Sequence, residues 1–268
     1  MDLHLIQKVV SELKSEINGG IISKIFQPLP RDIVLKLYVR GAGEKRLMLS
    51  ADPKLGRIHL TDLRIPNPPR PPRFCAYLRA RLVNSRIVDV TCAPDDRVVN
   101  IACERRAPDS MTKMTLILEL LGRDSNIIII DTDKKIIMDS LHHIPDKHSN
   151  NRIVIRGVEY VPPPPNPRLL VPAGESDRGA TVAKPLSSLD FPDGTRSFNK
   201  SVDRFYMSLL TNSLTENLRR EVARPAKAKI RSLETRRHKI EEDIKRLQKF
   251  IAQGKYGELL KTNLGKFQ

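Results

Sequence analysis

Leu3, Ile6, Val9, Val10, Leu13 and Ile17 recur at intervals of three and four, and Asn18-Gly19-Gly20 follows them. This spacing predicts an amphipathic helix from Leu3 to Ile17 that the glycines stop. The pattern then changes to short runs rich in branched residues: Ile33 to Val39, Arg46 to Ser50, Arg57 to Thr61, Arg86 to Cys92, Arg97 to Cys103, Met114 to Leu121, Asn126 to Asp131 and Lys135 to Leu141. Their length and turn residues predict strands, and hence a strand-rich sandwich or barrel with interspersed helices, an α+β fold. One such helix is expected from Phe74 to Asn84, behind the proline run 66-PNPPRPPR-73, which reads as a stiff connector. Ile153 to Tyr160 reads as a last strand-like stretch before the prolines from Pro162 to Pro167. Residues 168–196 lose periodicity and suit a linker. Helical spacing returns at Val202, Phe205, Tyr206, Leu209, Leu210 and Leu214, predicting a small helical unit before Pro225. Beyond it Ile230, Leu233, Ile240, Ile244, Leu247 and Ile251 take the a and d positions of a heptad, with Arg237 in one a position, and start a coiled coil.

Length and charge add to that picture. At 268 residues more than one folding unit is expected. No stretch approaches the roughly 18 uninterrupted apolar residues of a membrane span. The first twenty residues interleave Lys8, Glu12, Lys14 and Glu16 with apolar positions and lack the apolar block of a secretory signal, so a cytoplasmic location is expected. Cys75, Cys92 and Cys103 stand apart without a C-x-x-C pair, and read as buried thiols. Lys and Arg number 47 against 31 Asp and Glu, a net charge of +16. That excess suits a polyanion, whose condensed counterions are released as basic side chains replace them. With no Trp and 4% aromatics there are few rings to stack unpaired bases, which favours recognition of folded RNA through backbone and shape. The span from Arg219 to Lys249 holds twelve basic and five acidic residues, fitting either a solvated helix or an arm that tracks RNA.

Little in the chain suggests catalysis. Nucleotide-binding and serine-hydrolase signatures are absent from the sequence. His142, His143 and His148 lack a carboxylate or thiol at ligand spacing and read as a solvated loop, so neither metal nor cofactor is expected. Two polar segments interrupt apolar strands. In 93-APDDRVVNI-101, Asp95, Asp96 and Arg97 occupy a turn where a guanidinium can clamp a phosphate while a carboxylate orients it. In 119-ELLGRDSN-126, Gly122 permits a turn from which Arg123, Ser125 and Asn126 are expected to protrude as possible RNA contacts.

The ordered series 74-FCAYLRARLVNSRIVDV-90, Asp96-Arg97, 117-ILELLGRDSNIII-129 and 156-RGVEYVPPPP-165 resembles the NFACT-N domain, once called the fibronectin-binding A domain, and 1-MDLHLIQKVVSELK-14 with 19-GGIISKIFQP-28 resembles its first helix and strand. The resemblance is to the N-terminal part of RqcH-type members of the NFACT family. It implies a sandwich similar to the N-terminal part of formamidopyrimidine DNA glycosylases over residues 1–172, a linker and helix-hairpin-helix unit over 173–224, and the first part of a coiled-coil middle domain over 225–268. It implies a ribosome quality-control factor that binds obstructed large ribosomal subunits carrying peptidyl-tRNA. Such a factor recruits tRNA, alanine tRNA in bacteria, for template-free tailing of stalled chains, and the peptidyl transfer belongs to ribosomal RNA. The family's tRNA-engaging Asp-Arg pair maps onto Asp96 and Arg97, and an acidic residue at the head of the first helix onto Asp2. Arg236 and Lys239 are candidate RNA contacts on the coiled coil. The 268 residues hold neither an NFACT-R domain nor a returning coiled-coil helix; these are expected on a longer form of the chain or on a separate polypeptide.

Two rival readings remain. A DNA glycosylase shares the implied fold and a basic surface, but that chemistry uses an N-terminal proline amine followed by glutamate, and residue 2 here is Asp. A fibronectin-binding surface adhesin, the older family label, conflicts with the missing secretory signal.

Overall fold

The computed structural model describes residues 1–108, 110–145, 152–164 and 197–264, with backbone alone for 210 and 212–222. The expected domain boundary at 172/173 and the linker at 168–196 lie outside the described residues.

The chain divides into two compact units, Met1–Met207 and Ser208–Gln268. The first is built on one antiparallel sheet, ordered β4-β3-β2-β1-β5-β6-β7-β8-β9. Its strands are β1 (Ile21–Phe26), β2 (Asp32–Val39), β3 (Gly43–Ser50), β4 (Arg57–Leu60), β5 (Arg86–Cys92), β6 (Val98–Ala107), β7 (Ser110–Glu119), β8 (Asn126–Asp131) and β9 (Ile137–Ser140). Hairpins make β1–β4 and β5–β9 two meanders. They meet at a narrow seam where Ile21 faces Arg86, closed by Gly19 N donating to Ile87 O and Ile22 N to Ser85 O.

Helix α1 (Leu3–Ile17) turns Leu5, Ile6, Val9, Val10, Leu13 and Ile17 inward, the stripe its sequence spacing predicts. It touches both β4 and β5, four places apart in the sheet, so the strands between them curl over it. Helix α2 (Arg73–Leu82) buries Phe74, Cys75, Leu78 and Leu82 and reaches β1 and β9. It stops before the predicted Asn84 because that residue takes φ 67°, a left-handed conformation that asparagine tolerates. A separate apolar cluster, including Val98, Ile117, Ile128, Ile137 and Val154, fills the second meander.

Two elements depart from expectation. Between Ile153 and Tyr160 there is no strand, only isolated bridges from Val154 to Ile144 and from Glu159 to Ile136. Gly157, at φ 87°, turns the segment between the two bridges and prevents a continuous ladder. The last helix, α3 (Phe198–Asn263), runs through Pro225 as one element. Proline removes a single i to i−4 hydrogen bond there, and the flanking turns keep theirs.

The root of α3 belongs to the first unit. Glu12 of α1 accepts hydrogen bonds from the Phe198 and Asn199 backbone N–H groups at 2.7 and 2.9 Å, so a carboxylate caps the positive end of the helix dipole. Asn199 in turn accepts from Leu60 N at 3.0 Å, tying the helix to β4. In the second unit, residues from Glu234 to Lys261 are exposed on every side.

Candidate nucleic-acid interface

Asp2 is the N-cap of α1, its Oδ1 accepting from Leu5 N at 2.8 Å. The β5–β6 turn comes to the same place. Gln7 on the first turns of α1 donates to Pro94 O at 3.2 Å, and the Met1 amino group is held below its ordinary pKa by burial and then by the nearby positive charge of Arg97. Asp2, Asp96 and Arg97, distant in sequence, thus gather at one end of the sheet.

The turn itself is rigid. Ala93 N donates to Val98 O at 2.8 Å, Arg97 N donates to Asp96 Oδ1 at 2.7 Å, and Leu120 N donates to Arg97 O at 2.9 Å. Asp96 and Arg97 are half-buried, and the Arg97 Nε, itself buried, has no hydrogen-bond partner among the described residues. Asp96 therefore spends one oxygen on shaping the turn. Neither side chain takes part in an ion pair among the described residues, which leaves a guanidinium beside a carboxylate on a fixed backbone.

The second polar segment behaves differently. Arg123 is exposed on a short 3-10 turn, where Gly122 takes φ 66°. Ser125 and Asn126 do not protrude, contrary to the sequence-based expectation: they are 3% and 1% exposed. Asn126 stitches the start of β8 to the chain after β9, its Oδ1 accepting from His142 N at 3.0 Å and its Nδ2 donating to His142 O at 2.8 Å. A buried amide next to a strand end must satisfy unpaired backbone groups, and that is what this one does. Arg236 and Lys239 lie exposed on α3, in the second unit.

Sequence reasoning missed two buried polar clusters. Glu119, 0% exposed at the end of β7, binds the Arg152 guanidinium through both oxygens and the Tyr160 hydroxyl at 2.8 Å. This clasp fastens residues 152–161 to the sheet and so supports the strand beside Arg97. The other joins Arg57, 1% exposed, to Asp32 at 3.3 Å, with the guanidinium 4.9 Å from the Tyr206 ring of α3. His59 stacks on the same ring and lies 3.5 Å from Asp203, and burial lowers its pKa from 6.5 to about 4. The available signal was a charged or imidazole side chain at an inward position of an apolar strand, which folding tolerates only when it is paired.

His142 and His143 diverge. His143 approaches Asp139 at 3.0 Å while the His142 backbone serves Asn126, and His148 lies outside the described residues. Among the described residues no group of three or more His, Cys, Asp or Glu could hold a metal ion, and no helix is long and apolar enough to cross a membrane. Cys75 and Cys103 are buried and Cys92 is half-buried; burial raises the Cys92 pKa to about 11 and that of Cys103 to about 12.

Known proteins resemble this chain in sequence and in fold. A Bacillus subtilis protein described as "Rqc2 homolog RqcH" is 34% identical over 197 residues, covering 72% of this chain and 33% of that protein. The chain thus spans about a third of the length of that relative. The N-terminal structure of the fibronectin/fibrinogen-binding protein from Streptococcus suis superposes with a TM-score of 0.58 at 29% identity, over 60% of this chain and 61% of that one. The N-terminal domain of the fibronectin-binding protein PavA from Streptococcus pneumoniae does so at 0.56 and 26%, over 78% and 79%. Residues 2–178 match the family described as NFACT N-terminal and middle domains, and the chain belongs to the NFACT family.

Proposed function

We propose that this chain is the RNA-binding front of a ribosome quality-control factor. It engages obstructed large ribosomal subunits that carry peptidyl-tRNA and helps to recruit tRNA, alanine tRNA in bacterial members, for template-free extension of the stalled chain. Ribosomal RNA performs the transfer, and this chain positions substrates. The observation that carries the reading is the convergence of Asp2, Asp96 and Arg97 at one end of the sheet, on a backbone fixed from three sides. Arg97 presents the planar fork that grips phosphate, and Asp96 or Asp2 can accept from a base or a ribose hydroxyl. A net charge of +16 supplies long-range attraction to RNA. Arg123 stands exposed after β7, and Arg236 and Lys239 are exposed on α3 in the second unit.

The test is direct binding. Arg97→Ala is expected to weaken tRNA binding by about 1–3 kcal/mol, with the melting temperature retained. Reversing the charges of Arg236 and Lys239 together is expected to reduce co-sedimentation with large ribosomal subunits. Unchanged tRNA affinity in a folded Arg97→Ala protein defeats the assignment of the turn. The two structural neighbours are named for fibronectin binding, which keeps an adhesive reading in view. A pull-down that retains fibronectin but neither large subunits nor tRNA favours that reading.

A further inference from the structure

The opposite end of the β6–β7 hairpin carries a second concentration of charge. Strand β5 pairs with β6 only as far as Glu104, and β8 pairs with β7 only from Met114. Residues 105–107 and 110–112 therefore pair with each other and have no strand beside them, so the hairpin tip projects from the sheet. Arg105 and Arg106 are exposed there. Arg105 Nη1 donates to Ala80 O at 3.0 Å, which brings the tip against the last turn of α2.

Helix α2 continues the patch. Tyr77 and Arg81 are one turn apart on one face, and the Arg81 guanidinium carbon lies 5.7 Å from the Tyr77 ring centroid. Arg156, from the segment after β9, arrives over the same ring at 5.9 Å. On the other side of the tip a hollow of about 500 Å³ is lined by Arg86, Arg106 and Glu104 among others. Arg81, Arg86, Arg105, Arg106 and Arg156 are all exposed, and none has an ion-pair partner among the described residues. Glu104, opposite Arg86 in the strand register, is the one acidic residue among the described residues lining this hollow.

We infer that the C-terminal end of α2, Arg156 and the projecting β6–β7 tip form a second RNA-binding surface that grips the phosphate backbone of double-helical RNA. Guanidinium groups in excess over the Glu104 carboxylate repel one another, and a polyanion relieves that repulsion while releasing counterions. Arginine suits the task because its fork matches phosphate geometry and stacks on a ring that fixes it. Tyr77 is half-buried and already carries two guanidinium groups, so its ring serves to hold arginines rather than to stack an unpaired base. Arg105 is eight strand positions from Arg97, roughly 27 Å at the rise of an extended strand, so the two surfaces cannot share one phosphate. A chain that holds tRNA at one end of the hairpin thus grips a helical stem at the other. This inference rests on the RNA-binding reading above and adds a separate footprint.

The test uses the whole chain and a short RNA duplex, with affinity measured over a series of salt concentrations. Replacing Arg81, Arg106 and Arg156 by Ala is expected to weaken duplex binding roughly tenfold or more, and to reduce the slope of log affinity against log salt by about one unit for each phosphate no longer neutralised. The corresponding Lys substitutions keep the slope. Arg106→Ala alone, on a tip that packs against no strand, lowers the slope by about one unit and stands as the test if the triple variant fails to fold. Wild-type duplex binding that the substitutions leave unchanged overturns this surface and spares the proposed function. Absence of all RNA binding by the wild-type chain overturns both. Loss of binding to phosphatidylglycerol vesicles, with duplex affinity intact, overturns it in favour of a membrane surface.

Discussion

The same residue types meet opposite fates in the two units. In the sheet unit Ile6, Leu35, Leu37, Ile87 and Ile128 are all 0% exposed, whereas on α3 Ile240 is 50%, Leu247 59% and Ile251 62% exposed. Both sets follow a clean periodicity, helical or alternating. The difference lies in what each stripe faces. The sheet curls over α1 and closes its own interior, while a single helix cannot cover its own a and d positions. Hydrophobic pattern therefore identifies a face that seeks cover, and the rest of the molecule decides whether cover is present. Charge shows the same contrast: Arg57 is buried against Asp32 and Tyr206, while Arg237 meets Glu241 across solvent at 3.5 Å.

Substitutions can break or sharpen that contrast. The largest effect is expected at Arg57. Arg57→Ala leaves the Asp32 carboxylate buried without its cation and is expected to cost about 3–5 kcal/mol in urea unfolding of the sheet unit. A loss below about 1 kcal/mol contradicts the importance of that pair. Next comes a pH effect at His59. Its Nδ1 donates to Leu60 O at 2.9 Å, while its buried Nε2 has no hydrogen-bond partner among the described residues and Arg57 lies close by. The folded pKa, about 4, is below the unfolded 6.5, so the unfolded chain binds the proton more readily. The stabilisation is complete above pH 6.5 and is lost as pH falls towards 4, by up to roughly 3 kcal/mol. Asp203, whose carboxyl is raised chiefly by burial, opposes this at the acidic end. The difference between wild type and His59→Gln isolates the histidine, and parallel pH profiles for the two rule it out. The smallest effect is expected on α3: Ile240→Ser with Ile244→Ser should change stability of this chain by less than about 0.5 kcal/mol, against about 2–5 kcal/mol for Leu35→Ala in the sheet. A large loss on α3 means that its apolar stripe is already covered.

Much of the fold is legible in the sequence because the elements obey local rules. Six apolar positions of α1 and eight strand runs follow from spacing, and their ends shift by a few residues where hairpin pairing extends them, as in β6 and β7. Ser125 and Asn126 escape such reading because polar type alone does not reveal whether an amide faces water or serves orphaned backbone groups. Glu119 stands out as an interruption of an apolar run, but its partners Arg152 and Tyr160 lie more than thirty residues onward, and no local pattern connects them.

By itself, the sequence determined the periods of the elements, the excess of positive charge and the family. These depend on near-neighbour sterics, composition and ordered motifs, all properties of adjacent residues. Tertiary structure alone decided which charges meet: Arg97 beside the Met1 amino group, Glu12 at the head of α3, and Arg156 over Tyr77. Contacts between distant segments follow from how strands pair and where the sheet curls, and they exist only once the chain has closed on itself.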